Sequence, residues 1–510
     1  MRFLFSIENS LDNFSHAGGL GILMNDLFQE FRKKEKEAFF FSILPLKRRK
    51  IRIVENRVDE INEEKRINPE YCYQFQTKWY PVNVYISESP ESTEKTKAIF
   101  VTIENNEEWI KNFALYRERD EGQIIFIRYV FYLGVKKYIE ENRLHPEIIH
   151  INESDTALFL YLPIELGINP LKIYHSHTPL PIGHKSVSKE VASSLLPNEL
   201  MKFLKVGEEG ERINLGKVAA YYSDKIVTVS ELHEKITRNR IYPEFQYKIS
   251  HVTNGINIEE WLGEEIKRLY DEEIPGWSEN LNLIEENVKK IEDWKIREAR
   301  DKEKAKMIEK MNELLKSGEA IGNLDKNKIN LVYAKRLTYY KRPDTSLKAY
   351  DFLKKSLDIN LIIAGYPVDE YGKYFFENKV IPLTKKDSES VLYIPNYEKK
   401  IAKFIFRGAD ICLNPQEVES EASGTSYMKG LINGCLLVTT RAGSVSEFVK
   451  DGYNALVLSD NLENLEEKLL EAAKIINEKD IKISKNAMGT IYRVSTERML
   501  KDLEKVYSRN

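Results

Sequence analysis

At 510 residues the chain exceeds the usual size of one hydrophobic core, so two domains of similar size are expected. Its 77 basic and 80 acidic side chains are intermixed and sum to a net charge of -3, so nothing in the charge balance advertises nucleic acid or a membrane as a partner. Met1 leads straight into an apolar strand, no stretch approaches the roughly 20 apolar residues that span a bilayer, and Cys72, Cys412 and Cys435 lack metal-ligand spacing, so the chain reads as cytoplasmic with reduced core thiols.

In chain order, short β-rich runs alternate with helical patterns, which argues for parallel sheets with helices on both faces. Arg2 to Ile7, Ile148 to Ile151, Leu171 to His175 and Lys225 to Val229 read as strands, while Leu20, Leu23, Leu27 and Phe31 mark one helix and Ile125 to Glu140 another. Between the first strand and its helix lies Ala17-Gly18-Gly19-Leu20-Gly21. It lacks the spacing of the dinucleotide fingerprint, but Gly18 and Gly19 can present amides to phosphate or sugar oxygens; a tight turn is the other reading. The third strand runs into His175-Ser-His177-Thr-Pro-Leu-Pro-Ile-Gly-His184, where three of the eight histidines fall. Their i, i+2 spacing supplies no helical metal pair, and His177 fits donation to a sugar hydroxyl or backbone carbonyl better than zinc. Asn254, in Thr253-Asn254-Gly255, follows a strand signal and suits a turn.

From Trp261 to about Gly322 the chain becomes charge-dense and reads as a connection with a helical excursion. The alternation then resumes with Lys328 to Ala334, Asn360 to Ala364, Val391 to Ile394, Asp410 to Asn414, Cys435 to Thr439 and a short Ala455 to Leu458; a last helix covers Thr496 to Tyr507. Lys335, Arg336, Lys341 and Arg342 cluster after the first of these strands, around Tyr340. Such cations are costly near a buried strand unless they meet anions, and a solvated basic turn is the alternative. Glu421-Ala-Ser-Gly-Thr-Ser-Tyr-Met-Lys429 carries a carboxylate for sugar hydroxyls, Gly424 for close backbone approach, and Thr425 and Ser426 at a helix start. Lys429 lies one turn in, as a phosphate counter-charge or a Schiff-base former, unless this is an ordinary cap followed by a solvated lysine. Each motif follows a strand, and two facing doubly wound domains form a cleft at the carboxyl ends of their sheets.

Taken together, Phe5-Ser-Ile-Glu-Asn-Ser-Leu with the glycine loop, His150-Ile-Asn-Glu-Ser, the His177 and Asn254 segments, Lys335-Arg-Leu-Thr-Tyr-Tyr-Lys-Arg and the Glu421–Lys429 segment resemble the α-glucan phosphorylases, in order and across nearly the whole chain. The resemblance implies an α/β fold of two doubly wound Rossmann-like domains facing a central cleft, the glycosyltransferase B architecture. The expected divisions are 1–257 (glucan side), 258–327 (charged helical connection), 328–485 (phosphate and cofactor side) and 486–510 (a helix returning to the first domain). It implies that Lys429 forms a Schiff base with pyridoxal 5′-phosphate, that Lys335 and Thr425 face the cofactor phosphate, and that Arg336 and Lys341 hold the substrate phosphate. His177, Asn254, Tyr340, Glu421 and Gly424 would bind the glucosyl unit, with Gly18 and Gly19 beside it. The implied reaction is reversible phosphorolysis of α-1,4-glucan to glucose 1-phosphate with retention; no metal, nucleic acid or membrane is implied, and a homo-oligomer is left open.

Three features depart from that pattern. Tyr427 is bulky where the family usually has Gly or Asn, Asp155 stands at a position commonly His, and Arg441-Ala-Gly-Ser-Val-Ser-Glu447 is more like a nucleotide-sugar glycosyltransferase. A glycogen synthase using ADP- or UDP-glucose, with no pyridoxal phosphate, is therefore the second expectation. Lys429 weighs against it, because retaining synthases commonly carry a glutamate there for the donor ribose, and a lysine cannot accept from a diol.

Overall fold

The computed structural model describes residues 1–15, 18–54, 57–105, 107, 113, 115 and 120–508, without the side chains of 49, 51–60 and 182; Ala17 of the glycine motif lies outside them. No helix among the described residues is long and apolar enough to cross a membrane. Contacts divide the chain into one unit of Met1–Arg49, Asn62–Thr253 and Met499–Asn510, and a second of Lys50–Ile61 and Asn254–Arg498.

In the first unit, nine described strands form one sheet: β1 (Arg2–Phe5), β2 (Ala38–Ile43), β3 (Tyr71–Gln76), β4 (Pro81–Glu88), β5 (Thr96–Glu104), β6 (Ile148–Asn152), β7 (Leu171–His175), β8 (Lys225–Thr228) and β9 (Ile249–His251). Their spatial order is β9-β8-β7-β6-β1-β2-β5-β4-β3. Seven are parallel, and β4 runs antiparallel to both β3 and β5. The expected parallel sheet thus carries an antiparallel edge, because the connections between β3, β4 and β5 are too short for a crossover. Cys72, expected in a core, is exposed; the two-residue alternation of β3 turns Tyr73 inward instead.

The same alternation distributes the phenylalanines over two cores. Phe3, Phe5, Phe39 and Phe41 pack with Phe126, Val130 and Phe131 of a helix at Glu121–Glu141. Leu4 and Phe40 point the other way, onto Leu23, Leu27, Phe28 and Phe31 of α1 (Gly19–Lys33). Met499, Leu500, Leu503 and Tyr507, from the helix Thr496–Tyr507, complete this second core. Each such buried side chain contributes about 1.5–3 kcal/mol.

The second unit holds a seven-stranded sheet among its described residues: β10 (Ile321–Gly322), β11 (Ile329–Ala334), β12 (Ile359–Ala364), β13 (Val391–Ile394), β14 (Ile411–Asn414), β15 (Leu436–Thr439) and β16 (Leu456–Val457), ordered β10-β13-β12-β11-β14-β15-β16. All neighbours are parallel except β10 with β13. The six parallel strands therefore take the doubly wound order, which reverses between β11 and β14; the parallel strands of the first unit reverse in the same way between β1 and β6. The charge-dense segment after Trp261 is helical, ending in Asp293–Lys316, and lies within the second unit.

Candidate functional site

In open α/β sheets ligands collect where the strand order reverses, outside the carboxyl ends of the strands. In the second unit the loops leaving β11 and β14 meet there. Lys335, the first residue past β11, is buried; its Nζ donates to Asn414 Oδ1 at 2.5 Å and to Ser426 Oγ at 2.6 Å. Asn414 is held in turn by its Nδ2, which donates to Thr439 Oγ1 at 2.8 Å. Gly365 flanks this turn, where a Cβ would stand 1.7 Å from the Lys335 carbonyl oxygen, so no other residue fits. Burial first, and then the cations Lys341 and Lys429, pull the Lys335 pKa down to about 7 against the opposing Glu421.

Lys341 is buried too, 4.8 Å from the Tyr340 ring centroid, and forms an ion pair with Glu421. Burial is the largest single influence and pulls its pKa down, but the Glu421 carboxylate and Tyr340 together outweigh it, and the net shift is upward. The same Glu421 oxygen accepts from Gln416 Nε2 at 2.6 Å, and the Tyr340 carbonyl accepts from the Glu417 amide at 2.9 Å, so the two loops are laced together. Arg336 is exposed while its neighbour Lys335 turns inward.

The helix α2 (Ser426–Ile432) carries Lys429, which is 3% exposed with its Nζ 3.6 Å from the centroid of the Trp261 indole. That approach is cation–π in kind when the amine is charged. Asn433 fixes it: its Nδ2 donates to the carbonyls of both Lys429 (2.8 Å) and Trp261 (3.0 Å), and its Oδ1 accepts from the Gly263 amide at 2.8 Å. Sequence reasoning missed Trp261 and Asn433 as site residues; a tryptophan, one of five in the chain, at the start of a charge-dense stretch was the available signal.

Thr425 is half-buried just before α2. Gly424 has room, since a Cβ there would meet nothing closer than 3.5 Å, so protein packing alone does not require glycine. Tyr427 lies two residues from Lys429 and hence on the opposite side of α2. It is buried, its hydroxyl 2.8 Å from Ser444 Oγ, which also accepts from Ser423 Oγ at 2.8 Å. Asn254 joins this group: its Nδ2 donates to the Ser423 carbonyl at 3.2 Å, while its buried Oδ1 has no partner among the described residues.

In the first unit, Asn152 closes the junction between β1 and β6. Its Nδ2 donates to the Phe5 carbonyl at 3.0 Å, which turns Oδ1 toward His177 Nε2 at 2.9 Å. His177 therefore carries its proton on Nε2, and toward a ligand it offers the Nδ1 lone pair as an acceptor rather than the expected donor. Behind it, His175 lies with ring centroids 4.3 Å apart, His150 Nε2 is 3.1 Å from His175 Nδ1, and Tyr507 Oη is 2.8 Å from His150 Nδ1. Burial pulls His150 down to about 3 and pulls His175 and His177 well below the ordinary range, so these imidazoles are neutral at pH 7. His184 is structural, bracketed by Tyr242 Oη at 2.7 Å and the Thr178 carbonyl at 3.1 Å.

Gly18 donates its amide to Glu8 Oε2 at 2.8 Å, which occupies the group expected to meet a ligand. Gly19, the first residue of α1, is exposed. Asp155 is buried against Arg128, with Nη2 and Oδ1 2.5 Å apart, which accounts for a carboxylate at that position.

The model for carbohydrate phosphorylases matches residues 183–361, that for glycosyl transferases group 1 matches 317–489, and that for the starch synthase catalytic domain matches 6–242. The maltodextrin phosphorylase of Thermococcus litoralis is 30% identical over 441 residues, covering 74% of this chain and 53% of its own length. The glycogen phosphorylase of Aquifex aeolicus is 23% identical over 521 residues, covering 86% and 72%. The chain thus spans about half the length of the first relative. The catalytic domain of starch synthase IV from Arabidopsis thaliana, bound to ADP and acarbose, shares the fold with a TM-score of 0.74 at 14% identity, over 99% of this chain and 98% of that one. The chain has the glycosyltransferase B fold, and phosphorylase-like and synthase-like features are both present in it.

Proposed function

We propose that this chain, a glycosyltransferase B fold similar to phosphorylases and starch synthases alike, is an α-glucan phosphorylase that cleaves α-1,4-glucan reversibly with inorganic phosphate to glucose 1-phosphate, with retention, and carries pyridoxal 5′-phosphate on Lys429. The observation that carries this reading is Lys429 itself, buried against the indole of Trp261 at the position where a synthase would present a carboxylate to its donor ribose.

The residues fit that cofactor. A desolvated amine beside an aromatic face suits a covalently held planar ring, and Lys335 and Thr425 lie around the same turn for its phosphate. When bound, the cofactor would supply a phosphate able to give and take a proton beside the substrate phosphate.

The chain's own side chains supply the rest. Lys335 sits with a pKa of about 7 and gains its proton readily when a dianion arrives, so phosphate binding and charging of this lysine reinforce one another. Lys341 is already paired with Glu421, so a phosphate shares or displaces that partner, and the exposed Arg336 is placed to add a forked donor. Asn254 Oδ1 is a buried acceptor awaiting a hydroxyl. His177, neutral and held by Asn152, orients rather than transfers a proton.

One observation favours the second reading, a glucan synthase using ADP- or UDP-glucose: the shared fold with a starch synthase solved with ADP. Glucose 1-phosphate release from maltodextrin and inorganic phosphate, against glucose transfer from either nucleotide sugar to glycogen, separates the two. Phosphorolysis alone supports the proposal; transfer from a nucleotide sugar without phosphorolysis overturns it.

A further inference from the structure

Glu153 is the first residue past β6, where the first sheet reverses its strand order, beside the Asn152 that holds His177. Its backbone stands at φ 62° and ψ 164°, a region that is essentially glycine's and that a glutamate occupies only when its surroundings hold it there. The side chain is buried. Oε1 accepts from Thr178 Oγ1 at 2.6 Å, and the His177 amide points at the same carboxyl, while Oε2 is buried with no partner among the described residues.

Among the described residues no cation pairs with this carboxyl. Lys185 acts on it weakly, Asp155 opposes its ionisation although paired with Arg128, and Tyr174 and Tyr242 stand around it as neutral hydroxyls. Burial pushes its pKa up to about 8, so at neutral pH Glu153 holds its proton. Thr178 occupies the Oε1 side, which leaves the proton on Oε2 with no acceptor among the described residues. Such a group is costly to keep unless something else receives the bond.

We propose that Glu153 is a ligand-binding residue of this unit, donating from Oε2 to a hydroxyl of the bound sugar while the adjacent His177 accepts from the same ligand through Nδ1. A donor beside an acceptor on neighbouring loops matches a polyol, whose hydroxyls do both. The inference rests on the glucan reading given above, and it explains why a glutamate occupies a backbone position that glycine would take without strain.

The test is calorimetric binding of D-glucose to the full chain and to E153Q, E153A and E153G, with the Tm of each. Glutamine keeps a neutral donor, so E153Q binds within about threefold of wild type, whereas E153A and E153G bind about tenfold or more weakly. E153G is at least as heat-stable as wild type, because it relieves the backbone while removing the donor. Wild-type affinity falls as pH rises through about 8 and the carboxyl ionises, and E153Q shows no such fall. Wild-type glucose affinity retained in E153G, or a Tm that drops in E153G without loss of affinity, overturns the assignment and leaves the glucan reading standing. A wild-type chain that binds neither glucose nor glucose 1-phosphate removes the glucan reading, and this assignment with it.

Discussion

The amine of Lys429 lies 3.6 Å from the centroid of the Trp261 ring, and one buried side chain, Asn433, bonds the backbone carbonyls of both residues. A shared bracket thus holds together the two backbones that carry the amine and the indole. Asn433→Leu removes three buried hydrogen bonds and orphans two carbonyls and the Gly263 amide. It is expected to cost about 3 kcal/mol, read as a lowered denaturation midpoint.

The Lys341–Glu421 pair gives a second prediction. Both partners are nearly buried, with side chains 10% and 11% exposed. Lys341→Met or Glu421→Gln alone leaves an uncompensated polar or charged group and is expected to cost about 3–5 kcal/mol. The double variant should cost clearly less than the sum, a coupling readable in a double-mutant cycle of urea denaturation. Additive losses would show that the two act independently.

Lys335 predicts a pH dependence of stability. Its folded pKa, about 7, lies below the ordinary lysine value of 10.5. Between those values the unfolded chain binds a proton that the folded chain does not, so this group makes stability rise with pH across that window. Its full penalty is present below pH 7 and fades toward pH 10. Wild type is therefore expected to gain stability relative to Lys335→Met as pH rises from 7 to 9.5 in parallel denaturant titrations. Inorganic phosphate should oppose the effect by drawing the proton back.

Tyr427 was the residue most at odds with a cofactor at Lys429. On α2 it faces away from Lys429, and its hydroxyl is engaged by Ser444 at 2.8 Å. Tyr427→Phe is expected to lower stability by about 1 kcal/mol, measured by urea denaturation, and to leave ligand binding at Lys429 unchanged.

Much of this was legible in the sequence because strand and helix periods are local. The runs ending at Ala334 and Asn414 are apolar and sharply bounded, so the loops carrying Lys335 and Glu421 could be placed after strands, and the doubly wound order brings them together. The antiparallel edge was not foreseen, since β3 and β4 mix polar and apolar residues around an exposed face. Long-range partners were the other blind spot. Nothing local links Asn433 to Trp261, 172 positions away, and nothing in His-Ser-His reveals that Asn152 Oδ1 accepts a hydrogen bond from His177 Nε2. The Gly18 amide, expected for a ligand, is claimed by Glu8 through a contact that no spacing rule reports.

The most direct test of the central claim is borohydride reduction of the purified chain after incubation with pyridoxal 5′-phosphate, followed by peptide mapping by mass spectrometry. The account predicts a pyridoxyl adduct on Lys429. An unmodified Lys429 with excess cofactor, or an adduct confined to exposed lysines, contradicts it and moves the function to glucan synthesis from a nucleotide sugar.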